Sequence, residues 1–116
     1  MARDFSEEVA NDDRMSELFT FYSDMRGGWL FVPWKRLHDI EFDISTLSDR
    51  SYADADGAYL EEEVDMKLFE ILFMERAKRR IVLHDVDEHV SSVRTKAVLH
   101  DFDWRSIMNG FAEGFI

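Results

Sequence analysis

Apolar side chains recur with helical spacing near the start of the chain. Over residues 5–26, one stripe is formed by Met15, Leu18, Phe19, Tyr22 and Met25. Side chains spaced three and four residues apart lie on one face of a helix, so the pattern predicts a helix here. Gly27-Gly28 would end it, because glycine adopts the left-handed conformation of helix ends at low cost.

A second helix is predicted over residues 58–79. One of its faces carries Leu60, Val64, Leu68, Ile71 and Leu72, and a second carries Met66, Phe69, Phe73 and Met74. Apolar residues on two faces indicate a helix that is buried on two sides. Acidic residues precede basic ones along this segment, which complements the helix dipole at both ends.

Shorter patterns favour strands and a loop. The apolar run 29–32, the alternating segment 40–44 and the Val-rich segments 81–83 and 93–99 are typical of strands. Residues 45–57 are rich in Ser, Asp, Ala and Gly and predict a loop. Two alternatives stay open: a helix that begins at Pro33, and a helical segment over 82–97, where Val and Ala recur at near-helical spacing.

The order of these elements predicts a single α+β domain over residues 1–116. It would contain a small antiparallel sheet of about four short strands, two main helices and a short C-terminal helix that starts at Asp103-Trp104. A mostly α-helical fold is the alternative. The 10 Phe and 3 Trp residues provide enough large apolar side chains for a real core.

Charge narrows the classes of function. The chain has 25 acidic and 14 basic residues, a net charge of −11. Direct binding to nucleic acid or to an anionic membrane needs clustered Lys and Arg, so neither is expected. A protein partner with a basic surface is expected instead. The chain has no Cys, and no signal peptide or membrane-spanning segment is recognisable, which together predict a cytoplasmic protein without disulfides.

The tripeptide Leu-His-Asp occurs three times, at residues 37–39, 83–85 and 99–101. His and Asp are ligands for Zn²⁺ or Mn²⁺, so a metal site built on His84, Asp85, His89 and His100 is one alternative. If residues 81–86 and 95–100 paired as a hairpin, however, His84 and His100 would lie at opposite ends of it. The main prediction is therefore no metal and no other cofactor.

The preferred hypothesis is a non-enzymatic binding protein, of the inhibitor, antitoxin, immunity or anti-defence type, that occupies a basic site on a protein partner. That site could itself bind nucleic acid, in which case a row of acids on the first helix would mimic the polyanion. The predicted contact residues are the acids that helix ends do not explain and two Trp residues, namely Glu7, Glu8, Asp12, Asp13, Glu17, Asp24, Asp49, Asp54, Asp56, Trp29 and Trp34.

Two further interpretations compete with this hypothesis. Solubility or adaptation to salt could account for the acidity, since Lys is scarce beside Arg. The chain could also be a structural or assembly subunit that forms a homodimer or larger homo-oligomer through residues 29–34. No Gly-rich phosphate loop or serine nucleophile elbow is present in the sequence, so enzymatic activity is not predicted.

Overall fold

The structure, a computed structural model, describes residues 15–114. Six strands are present in this part of the chain: β1 Ser16–Asp24, β2 Gly27–Pro33, β3 Tyr52–Asp54, β4 Gly57–Glu61, β5 Arg80–Asp87 and β6 Ala97–Val98. The described helices are α1 Trp34–Asp39, α2 Asp65–Ala77 and α3 Trp104–Ala112. Short 3₁₀ turns occupy Ile44–Thr46, Ser92–Thr95 and Leu99–Asp101.

The strands form one sheet in the order β5-β1-β2-β4-β3-β6. β1 and β5 run parallel, and the other neighbours run antiparallel. The fold is α+β, but the predicted small antiparallel sheet of about four strands is wrong, because the sheet is mixed and has six strands. The mostly helical alternative is wrong for the same reason.

The predicted first helix is wrong over its described part, which is strand β1. Phe19 and Phe21 pack into the core under the helices, whereas Tyr22 packs on the opposite face of the sheet. When a strand carries apolar side chains on both faces, some of them are also three and four residues apart in the sequence. The acid row predicted on a helix therefore has no helix over Glu17 and Asp24. Glu7, Glu8, Asp12 and Asp13 lie outside the described residues.

Three other boundaries also differ from the predictions. Residues 58–61 belong to β4, so the second helix starts at Asp65 instead. The predicted strand 40–44 is irregular chain that leads into a 3₁₀ turn, and the alternative helix after Pro33 is present as α1. The predicted loop 45–57 contains β3. The C-terminal helix is confirmed as α3, with Asp103 as its N-cap.

Residues 81–86 and 95–100, whose pairing as a hairpin was one possibility, do not pair with each other. β5 pairs with β1 over its whole length, and the two-residue strand β6 pairs with β3 on the far side of the sheet. The sequence around β5 does not reveal its pairing with a strand more than fifty residues earlier. Segments that are neighbours in the chain usually pair with each other, and only the tertiary fold shows where they do not.

The three helices and residues 40–47 cover one face of the sheet. The core there combines sheet residues such as Leu30 and Leu60 with Leu37 of α1 and with Phe69 and Phe73 of α2. The opposite face carries a smaller cluster of Trp29, Tyr59 and Val93, with Tyr22, Phe31 and Tyr52 partly buried around it. The central strands are therefore covered on both faces, whereas edge strand β5 is mostly exposed.

Candidate functional site

Two of the predicted contact acids lie on β1 and are held by arginines. Glu17 binds Arg36 of α1 at 2.7 Å and Arg79 at 2.9 Å. Asp24 is more enclosed, with a side chain that is 1% exposed, and it makes two hydrogen bonds with Arg94 at 2.7 and 2.9 Å. Both carboxylates thus neutralise cations of the same chain, which leaves them little capacity for a partner.

Asp24 also fixes the chain that follows β5. Its carboxylate accepts a hydrogen bond from the backbone N–H of Ser91 at 2.8 Å, and the guanidinium of Arg94 stacks 4.7 Å above the Trp29 ring. The hydrogen bonds from Arg94, and then that from Ser91, hold the pKa of Asp24 well below the usual value of 3.8. Asp24 is therefore part of the structural framework.

The lowered pKa of Asp24 has a consequence for acid stability. A carboxyl whose folded pKa lies below its unfolded pKa stabilises the protein above the unfolded value, and this contribution is lost as the pH falls below 3.8. We expect Asp24→Asn to lower the melting temperature at neutral pH and to flatten its decline between about pH 5 and pH 2.5. Thermal unfolding followed by circular dichroism across this range measures both effects.

Asp49→Asn is the matched control, because Asp49 is exposed in the loop before β3. It should leave both the neutral melting temperature and the pH slope close to those of the parent protein. Equal slopes for the parent protein and Asp24→Asn would contradict the role assigned to Asp24.

Of the three predicted contact acids near β3, one is bound to other side chains of the chain and two are exposed. Asp54 binds Lys96 at 2.8 Å and accepts a hydrogen bond from the Tyr59 hydroxyl at 2.9 Å. Burial raises the pKa of Asp54, but the hydrogen bonds from Lys96, from the Asp56 N–H and from Tyr59 outweigh it, so that the net shift is downward. Among the predicted contact acids within residues 15–114, Asp49 and Asp56 are the exposed ones.

The two predicted contact tryptophans are interior residues. Trp29 is 4% and Trp34 is 2% exposed. Their indole N–H groups donate to the backbone carbonyl oxygens of Arg50 and Asp54. The segment proposed for self-association therefore presents little of either ring to another molecule.

The structure does not bring together the four residues of the alternative metal site. His84 and Asp85 are neighbours on β5 and point to opposite faces. His89 lies in the following loop, and His100 contacts the Leu47 carbonyl on the other side of the sheet. Over residues 15–114, no group of three or more His, Asp or Glu side chains is placed to hold a metal ion.

One cavity of about 310 Å³ lies beside the β1–β2 turn. Its charged lining combines three arginines with four acids, which are Arg26, Arg50, Arg94, Asp49, Glu61, Glu62 and Glu63. Several of these charges offset each other: Arg50 lies 3.7 Å from Glu61 and 3.7 Å from Glu63, and Arg94 is bound to Asp24. Because these charges largely offset each other, the cavity shows little preference for either sign of ligand.

A larger groove, of about 450 Å³, lies between α1, residues 41–44 and α3. We call it the acidic groove. Trp104 and Met108 from α3 are partly exposed and supply its accessible apolar surface, above the buried side chains of Phe42 and Ile44. Its charged and polar lining is Lys35, His38, Asp39, Glu41 and Asp43. Of its three acids, Asp39 is paired with Lys35 and Arg36, so Glu41 and Asp43 supply the negative charge of the acidic groove.

The end of α1 sets the rim of the acidic groove. Phe42 N–H donates to Leu37 O at 3.0 Å and Glu41 N–H donates to His38 O at 2.9 Å, the two hydrogen bonds of a Schellman motif. Glu41 occupies the left-handed position of this motif, with φ of 55°. Glycine is favoured there, and a residue with a side chain costs on the order of 1 kcal/mol.

The other rim residues are fixed by local contacts. Arg76 of α2 donates to the carbonyl oxygens of Ile40 and Glu41 at 2.9 and 3.0 Å, which holds the connection against the helical layer. Asp43 caps the 3₁₀ turn by accepting from Ser45. Asp39 is paired with Lys35 and Arg36. Glu41 and Asp43 are both exposed, so their charge faces solvent over the apolar floor.

Sequence reasoning missed Glu41 and Asp43. They lie in a segment that was predicted as a strand, and their alternation with Ile40, Phe42 and Ile44 was attributed to a sheet face. The amphipathic pattern of the C-terminal helix did indicate a contact, because its apolar stripe must pack against another segment of the chain. The identity of that surface depends on contacts between segments about sixty residues apart.

Comparison of the chain with protein-family models, with curated protein sequences and with solved structures gives no match. Over the described part of the chain, every helix is too short or too polar to cross a membrane.

Proposed function

We propose that this chain is a non-enzymatic binding protein whose acidic groove takes a basic, partly apolar segment of a protein partner. The observation that carries the proposal is the combination in one groove of about 450 Å³ of an apolar floor with a net negative rim. An apolar floor supplies affinity through burial, and the charged rim selects cationic ligands and accelerates their approach.

The geometry at Glu41 supports this proposal. A Glu at the left-handed position of a Schellman motif is less stable than a Gly would be, and Glu41 is exposed at the rim of the acidic groove. Local strain of this kind is commonly kept where the side chain has a use. The overall charge of −11 adds long-range attraction for a basic partner.

Binding in the acidic groove would cover a basic segment of the partner, and this is how a small acidic inhibitor, antitoxin or immunity protein acts. The proposal differs from polyanion mimicry. Mimicry needs a row of unpaired acids at regular spacing, whereas Glu17, Asp24 and Asp54 are each bound to a cation of the same chain.

A short peptide in which Lys and Leu alternate tests the proposal, with the Glu-Leu peptide as its counterpart. Trp104 is the one partly exposed Trp, so its indole resonance reports on the acidic groove. We expect the Lys-Leu peptide to shift this NMR resonance until binding is saturated. The affinity of the peptide should fall as the salt concentration rises. Glu41→Gln with Asp43→Asn should weaken binding by about 2- to 30-fold, the loss of two exposed charge pairs.

Glu62→Gln with Glu75→Gln changes the net charge equally at exposed sites outside the acidic groove and should leave binding nearly unchanged. A further variant, Glu41→Gly, separates binding from stability: it should weaken peptide binding without lowering the melting temperature, because Gly relieves the left-handed strain. Equal losses for the two double variants, or equal binding of the Glu-Leu peptide, would contradict the proposal.

A further inference from the structure

Edge strand β5 has one neighbour among the described strands, β1. The Arg80 N–H donates to Met15 O, and the N–H of Glu88, just past the strand, donates to Ser23 O, each at 2.9 Å. Backbone groups alternate in direction along a strand, so the even-numbered residues of β5 bond to β1. The N–H and C=O groups of the odd-numbered residues in 81–87 point away from it, as a template for another strand.

The first half of β5 also lacks the features that usually protect an edge, whereas Asp85 and Asp87 place charges in its second half. The strand is eight residues long, contains neither Pro nor Gly, and carries Ile81, Val82 and Leu83 in succession. Val82 is 46% and Leu83 is 38% exposed. Natural edge strands are commonly short, bulged or interrupted by inward charges, and a long apolar edge pairs readily.

Apolar side chains continue from this edge onto both faces of the molecule. Val82 is in register with Leu18, and both are exposed on the face without helices. Leu83 is in register with Phe19 and so lies on the helix-bearing face, where α2 packs against β5 and exposes Ile71 and Met74. The edge and its flanks together form an exposed apolar patch of the kind that marks protein–protein interaction sites.

Charge indicates which occupant fits. Lys78, Arg79 and Arg80 lie at the start of β5, where Arg79 is also bound to Glu17 and Arg80 also has a partner within the chain, whereas Asp85, Asp87 and Glu88 are at its other end. A second β5 running antiparallel would bring the acidic end of each copy to the basic end of the other. A parallel arrangement would oppose like charges, which is unfavourable.

We infer that β5 pairs antiparallel with β5 of a second copy of this chain, to give a two-fold symmetric dimer with a continuous twelve-stranded sheet built from two six-stranded ones. Only odd-numbered residues have outward backbone groups, so odd residues face odd residues across the two-fold axis. The helix-bearing faces then lie on the same side, with the two α2 helices adjacent and Ile71 and Met74 between them.

Two measurements on the full chain test the dimer. Sedimentation equilibrium should show the mass rising from 13.7 kDa toward twice that value as concentration increases. Hydrogen exchange resolved by residue should show protection of the odd-numbered amides in 81–87 that grows with concentration, while the even-numbered amides stay protected throughout. Protection of the odd amides that is independent of concentration would mean that the chain itself covers the edge, and this would overturn the inference.

Val82→Lys should weaken dimerisation about tenfold or more, because it places a charge at the paired edge. Met25→Lys is the matched control: Met25 is 88% exposed in the β1–β2 turn, and the change of charge is the same. A parent chain that remains monomeric at about 1 mM, or equal effects of the two substitutions, would also overturn the inference.

Discussion

Replacing Phe69 with Ala should lower the free energy of unfolding by about 3–5 kcal/mol. Phe69 is fully buried on α2 and lies at the centre of an aromatic cluster. Its ring centroid is 5.5 Å from that of Phe19, 5.3 Å from that of Phe73 and 6.2 Å from that of Phe42. These neighbours come from three separate elements, so the cavity left by Ala cannot be closed by moving one side chain.

A domain of this size has a total stability of about 5–15 kcal/mol, so Phe69→Ala should remove a large part of it. Urea denaturation followed by circular dichroism, at low protein concentration, measures the change. Ile71→Ala is the control on the same helix, because Ile71 is exposed. It should alter stability by less than about 0.5–1 kcal/mol. A similar loss for both variants would show that the core is not centred on Phe69.

Replacing Asp65 with Ala should cost about 2–4 kcal/mol. Asp65 is 1% exposed at the start of α2. One of its carboxylate oxygens accepts hydrogen bonds from the Ser48 N–H at 2.9 Å, the Ser48 hydroxyl at 2.8 Å and the Ser51 hydroxyl at 2.5 Å. Ser51 in turn accepts from the N–H of Glu61 at 2.9 Å. The network therefore fixes the loop before β3 to both α2 and β4.

The cost of Asp65→Ala arises because several enclosed donors lose their acceptor together, while the Ala cannot reach them. Asp65→Asn keeps an acceptor oxygen of the same reach and should lose clearly less stability. Asp85→Ala, at an exposed position of β5, should change stability by less than about 0.5 kcal/mol. Urea denaturation of the three variants makes the comparison, and an Asn variant as unstable as the Ala variant would contradict a role as hydrogen-bond acceptor.

Elements that depend on local pattern were predicted with partial success. The C-terminal helix follows from an N-cap Asp and an apolar stripe, and most of α2 follows from the helical spacing of its apolar residues. The predicted helix over the first residues failed because Ser16–Asp24 is a strand with apolar side chains on both faces, Phe19 and Phe21 on one and Leu18 and Tyr22 on the other. In such a strand, apolar residues occupy both odd and even positions, and the period of two disappears.

The candidate site could be predicted only in its charge. Acidity pointed to a basic partner, and this hypothesis is kept in the proposed function. The residues it selected were chosen by local charge density, which does not show where arginines from other segments will lie. Asp24 is bound to an arginine seventy residues later, and Glu17 is bound to Arg36 and Arg79. Ion pairs between distant segments convert apparent contact acids into structural ones.

The sequence alone determined the size of the apolar core, the net charge, the absence of thiols and the helices whose signals lie within a few residues. Only the tertiary structure decided the order of the strands, the acids that remain free and the formation of the acidic groove by α1, residues 41–44 and α3. The physical reason is the range of the interactions. Caps and helical stripes act over one or two turns, whereas strand pairing and ion pairing depend on which distant segments meet.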